Sequence, residues 1–120
     1  MGNDPSPILQ GVVEMLVLKA LAVEPMHCWG LSQQIHLMSN QVIKIAQGSL
    51  HPAVIRLRRK GLIRSAWRLT AHNRRARYYS LTLAGARKLE RATADWARMS
   101  QAVDSVLRTG LRLVSVAPAD

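Results

Sequence analysis

The sequence predicts a mainly α-helical chain with one small β-hairpin, in the order helix, helix, helix, hairpin, long helix. Three observations lead there. Apolar residues recur at steps of three and four in the first half and again near the end. Pro, Gly, Ser and Thr stand where such runs should start and stop. Two β-favouring stretches flank a polar, basic turn. At 120 residues the chain has the length of one domain and can bury a single core. Its 48% hydrophobic and 20% charged residues fit a globular chain and exclude a disordered one. Phe is absent, so Leu, Ile, Val and Ala must fill that core.

Ser6 followed by Pro7 marks a helix start, because a serine oxygen caps free N–H groups and proline fits the first helical position. From Ile8 to Val23 the positions Ile8, Leu9, Val12, Val13, Leu16, Val17, Ala20 and Leu21 form one wide apolar stripe, and Pro25 ends it. Gly30 to Met38 reads as a short amphipathic helix with Leu31, Ile35 and Met38 on one side. After a polar break at Ser39 to Gln41, Val42 to Ala46 reads as a short strand or an extended link.

A third helix is expected from Ser49, as cap, to Lys60, with Pro52 tolerated in the first turn. Gly61 suits the left-handed residue past its end, with Leu57 and Leu62 making the apolar contact of that motif. Leu62 to Leu69 and Ala76 to Leu83 are the hairpin strands, and Thr70 to Arg75 is the turn. Thr82 should cap the last helix, Leu83 to about Thr109, with Gly110 as its stop.

Charge directs the functional reading. Lys and Arg total 17 against 7 Asp and Glu, for a formal net charge of +10. No acidic residue stands between Glu24 and Glu90, while Arg56, Arg58, Arg59, Lys60, Arg64, Arg68, Arg74, Arg75 and Arg77 crowd one stretch. Solvated surfaces usually mix both signs, so an acid-free basic block points to a polyanion, with nucleic acid first. Two short helices followed by a basic hairpin are the winged helix-turn-helix arrangement, whose second helix enters the major groove of double-stranded DNA.

On the third helix Leu50, Val54 and Leu57 must face the core, which leaves Ser49, Pro52, Ala53, Arg56, Arg59 and Lys60 outward. A groove roughly 12 Å wide accepts a helix with a slim leading end. Gln47, Ser49 and His51 are there to read bases, while Arg56, Arg59 and Lys60 reach phosphates. His72, Asn73, Arg74 and Arg75 at the hairpin tip, with Arg77 behind them, are the wing contacts. Leu89, Ala92, Trp96, Met99, Val103 and Val106 alternate by three and four along the last helix, a coiled-coil-like seam expected to form a homodimer. The same stripe packing only on the first helix of its own chain is the competing reading. The domains expected are a winged helix-turn-helix over residues 1–82, a dimerisation helix over 83–110 and a tail over 111–120.

Four segments together resemble the PadR family of transcriptional regulators. They are His27 to Gly30, Gln47-Gly48-Ser49-Leu50-His51-Pro52-Ala53, Asn73-Arg74-Arg75-Ala76-Arg77-Tyr78-Tyr79 and Leu81-Thr82-Leu83-Ala84-Gly85. The resemblance runs from about Ile8 to Leu107 and implies the shorter class with one long C-terminal helix. It implies a winged-helix homodimer acting mostly as a repressor, with Trp96 as the residue lining a site for a small-molecule effector. A tryptophan at seam spacing is more often a core residue of a dimer than a ligand platform. Two departures stand out: His27-Cys28-Trp29-Gly30 replaces His-Gly-Tyr-Gly, and His51 replaces a Tyr before the proline.

Catalysis, cofactors and metals are not expected: no Gly-rich phosphate loop, paired-cysteine or His-Glu-x-x-His motif occurs. His27, Cys28, His36, His51 and His72 match no common metal spacing. His27 is expected to hold a backbone group near the turn. Cys28, the single cysteine, reads either as a redox sensor activated by His27 and a helix start or as a small, partly buried apolar residue. No apolar run of about 20 residues and no signal-peptide core occurs, so the expected location is cytoplasmic. Two functional alternatives share these features: a winged-helix protein-interaction module and a non-specific nucleic-acid-binding protein.

Overall fold

The computed structural model describes residues 7–110. Its elements are α1 (Pro7–Val23), α2 (Cys28–Met38), α3 (Gln47–Arg59), β1 (Ile63–Leu69), β2 (Arg75–Leu81) and α4 (Leu83–Leu107). The architecture is the mainly helical winged helix-turn-helix expected. The Ser6 cap and the 111–120 tail lie outside the described residues.

The apolar stripe of α1 makes the centre of the molecule. Val17, Leu18 and Leu21 meet Leu31 and Ile35 of α2, Leu50, Val54 and Leu57 of α3, and Ile63 and Tyr79 of the hairpin. Each is buried, and full burial of such side chains contributes about 1.5–3 kcal/mol apiece. Of the two adjacent tyrosines, Tyr79 enters this core and Tyr78 stays half-buried, as the period-2 alternation of a strand requires.

β1 and β2 pair antiparallel, with Ile63 opposite Leu81 and Leu69 opposite Arg75. The turn is tied by Thr70 N–H to the Arg74 carbonyl at 2.7 Å, and Asn73 takes φ 62°, a conformation Asn tolerates well. Sequence reasoning missed a third strip of this sheet. Met26 exchanges two backbone hydrogen bonds with Tyr79, at 3.2 and 2.8 Å, so the outer edge of β2 is partly covered and α2 starts beside the wing.

α2 begins where His27 Nδ1 accepts the Gly30 N–H at 3.0 Å, the backbone-holding role expected. Nδ1 must therefore carry the lone pair and Nε2 the proton. Cys28 is half-buried, and burial pushes its thiol above the ordinary range. That shift disfavours the thiolate, in line with a partly buried apolar side chain.

Residues 42–46 form the link alternative and no strand, and Ser32 Oγ donates to the Ile45 carbonyl at 2.9 Å. One further expectation is corrected. α3 starts at Gln47 and not at Ser49. Ala46 is its N-cap, without a side-chain bond, and Gln47 Nε2 reaches the Cys28 carbonyl at 3.4 Å. Tertiary contacts thus set the start, and Pro52 lies deeper in the helix than expected.

The end of α3 follows its signal. Gly61 has φ 73°, its N–H donates to the Arg58 carbonyl, and the Leu62 N–H donates to the Leu57 carbonyl, both at 3.0 Å. This is the six-to-one and five-to-two pattern of a glycine-terminated helix. Thr82 Oγ1 accepts the Gly85 N–H at 3.0 Å and donates to the Gly61 carbonyl at 2.7 Å. One hydroxyl thereby caps α4 and binds the end of α3. A Cβ at Gly85 would collide with the Leu62 carbonyl oxygen and lie 2.7 Å from Leu81 Cδ1. Gly85→Ala should therefore cost about 2 kcal/mol through overpacking and lower the melting temperature by roughly 5–10 °C. An unchanged calorimetric melting curve would show that this junction yields without strain.

Candidate nucleic-acid interface

The leading end of α3 is slim and polar. Gln47, Gly48, His51 and Pro52 are exposed, and Ser49 is half-buried. Nothing lies within 4 Å of the position a Cβ would take on Gly48. Pro52 has no N–H, so the Gly48 carbonyl, four residues earlier, keeps its acceptor free of the helix ladder. His51 points back toward α2, its Nδ1 3.6 Å from Cys28 Sγ. Ala53, expected outside, is fully buried: with Leu50, Val54 and Leu57 it widens the core face of α3, and its small side chain lets α3 approach the core closely.

The basic residues divide into two groups. Arg56 Nε donates to Glu14 Oε2 of α1 at 2.9 Å, and Lys60 Nζ lies 3.6 Å from the other oxygen of the same carboxylate. These two cations are therefore partly committed to holding α1 against α3. Glu14 is the residue that sequence reasoning passed over. The available signal was a lone acid interrupting the apolar stripe of α1. The remaining ion pairs among the described residues, Arg98 with Asp95 and Arg108 with Asp104, lie on α4. Arg58, Arg59, Arg64, Arg68, Arg74, Arg75 and Arg77 pair with no carboxylate among the described residues.

The wing brings Asn73, Arg74 and Arg75 together at an exposed tip, with Arg77 half-buried behind them. On one face of the hairpin the Arg75 and Arg77 guanidinium carbons lie 5.0 and 4.9 Å from the ring centre of Trp67. On the other face Arg68 lies 4.5 Å from the ring centre of Tyr78. A groove of about 910 Å³ runs between the start of α2 and the wing, bounded by His27, Trp29, His72, Arg74, Arg75 and Tyr78. Polar α3 tip, α2 start and basic wing therefore follow one another across one side of the molecule.

The seam residues of α4 separate by depth. Leu89 packs on the core and Ala92 is half-buried. Trp96, Met99, Val103 and Val106 remain 45%, 59%, 49% and 73% exposed. Packing on α1 of the same chain thus accounts for only the first part of the stripe. Trp96 and Met99 border a recess of about 320 Å³ with Val12, Met15 and Lys88. Among the described residues no group of His, Cys, Asp or Glu is placed to hold a metal ion, and no helix is long and apolar enough to cross a membrane.

Comparison with known proteins agrees with this architecture. A PadR family transcriptional regulator from Eggerthella lenta is 30% identical, with a TM-score of 0.70 over 84% of this chain and 86% of its own. A PadR-like transcriptional regulator from Bacillus cereus is 24% identical, with a TM-score of 0.73 over 88% and 100%. A transcriptional regulator from Clostridium thermocellum is 20% identical, with a TM-score of 0.74 over 85% and 96%. An uncharacterised protein of Lysinibacillus sphaericus is 22% identical over 99 residues, spanning 82% of this chain and 91% of its own. Residues 17–91, from the core of α1 through the first part of α4, match the transcriptional regulator PadR-like family. The chain belongs to that family of transcriptional regulators.

Proposed function

We propose that this regulator is a homodimer that binds a roughly palindromic operator on double-stranded DNA and represses transcription from it. The carrying observation is the set of seven arginines, from Arg58 to Arg77, without a carboxylate partner among the described residues. Cations close together on α3 and the hairpin repel one another, and a phosphate backbone supplies the charge that relieves this. Gln47, Ser49 and His51 at the slim end of α3 would meet base edges, with Pro52 keeping that end narrow. Arg59 follows on the exposed side of α3 as a phosphate contact, and Arg74, Arg75 and Arg77 with Asn73 serve the wing. Arg56 and Lys60 contribute less than their charge suggests, because Glu14 already neutralises part of it.

The homodimer rests on the apolar α4 face that α1 leaves uncovered. A two-fold pairing along Trp96, Met99, Val103 and Val106 buries it and sets two α3 helices on half-sites about one helical turn apart. Repression is what the family resemblance implies, and occlusion of a promoter by a bound dimer is its simplest mechanism.

Selection of genomic fragments by the purified protein at about 0.15 M salt should recover a short palindromic site, and recovery should fail with Arg74→Ala plus Arg75→Ala. Random recovery by the wild type favours non-specific packaging, and no recovery favours a protein partner. Light scattering should give twice the chain mass, with Val103→Asp shifting it to one chain. A wild-type monomer at micromolar concentration would remove the seam reading. Trp96 belongs first to this seam, yet the recess beside it lies within the usual size of ligand pockets, about 300–1,000 Å³. An effector there predicts saturable quenching of Trp96 fluorescence by planar apolar compounds in a Trp29→Phe, Trp67→Phe background. No saturable change would leave Trp96 to the seam alone.

A further inference from the structure

The geometry points to Trp67 as the positioning residue of the wing, an aromatic platform that holds Arg75 and Arg77 ready for DNA phosphates. This inference rests on the DNA-binding reading above. Trp67 lies on β1 directly opposite Arg77 of β2, with Arg75 on the diagonal, opposite Leu69. Strand alternation puts all three side chains on one face of the hairpin, beyond the point where Ile63 and Tyr79 of that same face enter the core. The indole is 55% exposed, so burial does not explain a tryptophan here. Both guanidinium carbons lie within 5.0 Å of its ring centre, inside the distance at which a cation is attracted by an aromatic face.

Two like charges beside one ring, with no carboxylate partner among the described residues, repel each other. A purely structural wing would place an acid or a neutral residue there. Contact through the π-face also differs from an ion pair in what it consumes: it leaves the in-plane N–H donors unused. Arg77 donates once, to Ser65 Oγ at 3.2 Å, and Arg75 makes no side-chain hydrogen bond with the described residues. Nearly all donors of both forks therefore stay available for bidentate phosphate contacts. An arginine on a free loop must lose several rotamers to make such a contact, whereas one already resting on an indole loses fewer. Trp67 thus lowers the ordering cost without touching the DNA.

The test is a coupling experiment on a duplex of about 30 base pairs, long enough for two half-sites, using the selected operator and a mixed-sequence control. Trp67→Leu should bind both about tenfold more weakly, the fold-change that two exposed cation–π contacts correspond to. Its salt slope should stay that of the wild type, because both cations remain. Arg75→Ala with Arg77→Ala should instead lower the slope by about 0.9 for each phosphate that is no longer neutralised. Adding Trp67→Leu to that pair should change affinity less than about twofold, and Trp67→Phe, which keeps a π-face, should stay within about threefold of the wild type. Equal binding by wild type and Trp67→Leu overturns the inference alone. So does an undiminished loss in the arginine-free background, which would mean that Trp67 touches DNA or folds the wing. A wild type that binds neither duplex overturns the DNA reading, and this inference with it.

Discussion

The Thr82 hydroxyl, bonded at once to the Gly61 carbonyl and the Gly85 N–H, joins the two ends on which everything else depends. On one side is α3, whose leading end is exposed. On the other is α4, whose apolar stripe α1 covers only in part. Thr82 N–H also donates to the Leu62 carbonyl at 3.2 Å, and Gly85 approaches that same carbonyl more closely than any side chain would allow. The angle between α3 and α4 is therefore set by backbone contacts, which bend less than side-chain packing does. In a two-fold dimer that angle fixes the distance between recognition helices. A left-handed Gly61 followed by a side-chain-capped helix makes this corner.

Charge is sorted by location. Glu14 draws Arg56 and Lys60 inward, and its carboxylate is less exposed than either partner. Partly exposed pairs of this kind contribute on the order of 1 kcal/mol or less. Their value is directional, fixing the rotation of α3 about its own axis against α1. With that rotation fixed, Arg59 and the α3 tip keep their aim. The arginines further along the chain have no carboxylate partner among the described residues. The same sequence block thus contains cations paired within the fold and cations without such a partner, and net charge alone does not distinguish them.

Much of this was legible in the sequence because the signals were local. The stripe of α1, the stop at Gly61, the cap at Thr82 and the turn around Asn73 each depend on residues within a few positions, and each lies where expected, except that the core also buries Leu18, which the expected stripe omits. The failures were long-range. Ser49 has good capping chemistry, yet α3 starts two residues earlier because Gln47 and the link before it bond to α2 residues, Cys28 and Ser32. Ala53 reads as outward by helix spacing, and only the closeness of α3 to the core decides that it is buried. The Met26 bridge to Tyr79 joins residues some fifty positions apart, and no periodicity announces a single-residue strand after a proline. Glu14 and Trp67 were hidden for a related reason: each acts through a partner on another element, and helix or strand spacing shows only the residue's own face.

The two departures from the family pattern show how such long-range terms rewrite a motif. A cysteine stands at position 28 where the family has glycine, and a histidine at 51 where it has tyrosine. In sequence these are separate changes on separate helices. In the structure Cys28 Sγ lies 3.6 Å from His51 Nδ1, and Gln47 Nε2 bonds to the Cys28 carbonyl beside them. The two side chains therefore meet at an exposed contact between the starts of α2 and α3. The half-buried thiol also presents a surface against which the imidazole can rest, while His51 keeps an exposed edge. The tip of α3 is thereby held from behind by α2. The ring that would face DNA changes from a phenol, one donor and acceptor on a long arm, to an imidazole with a shorter reach. The two departures thus meet at one contact between the starts of α2 and α3.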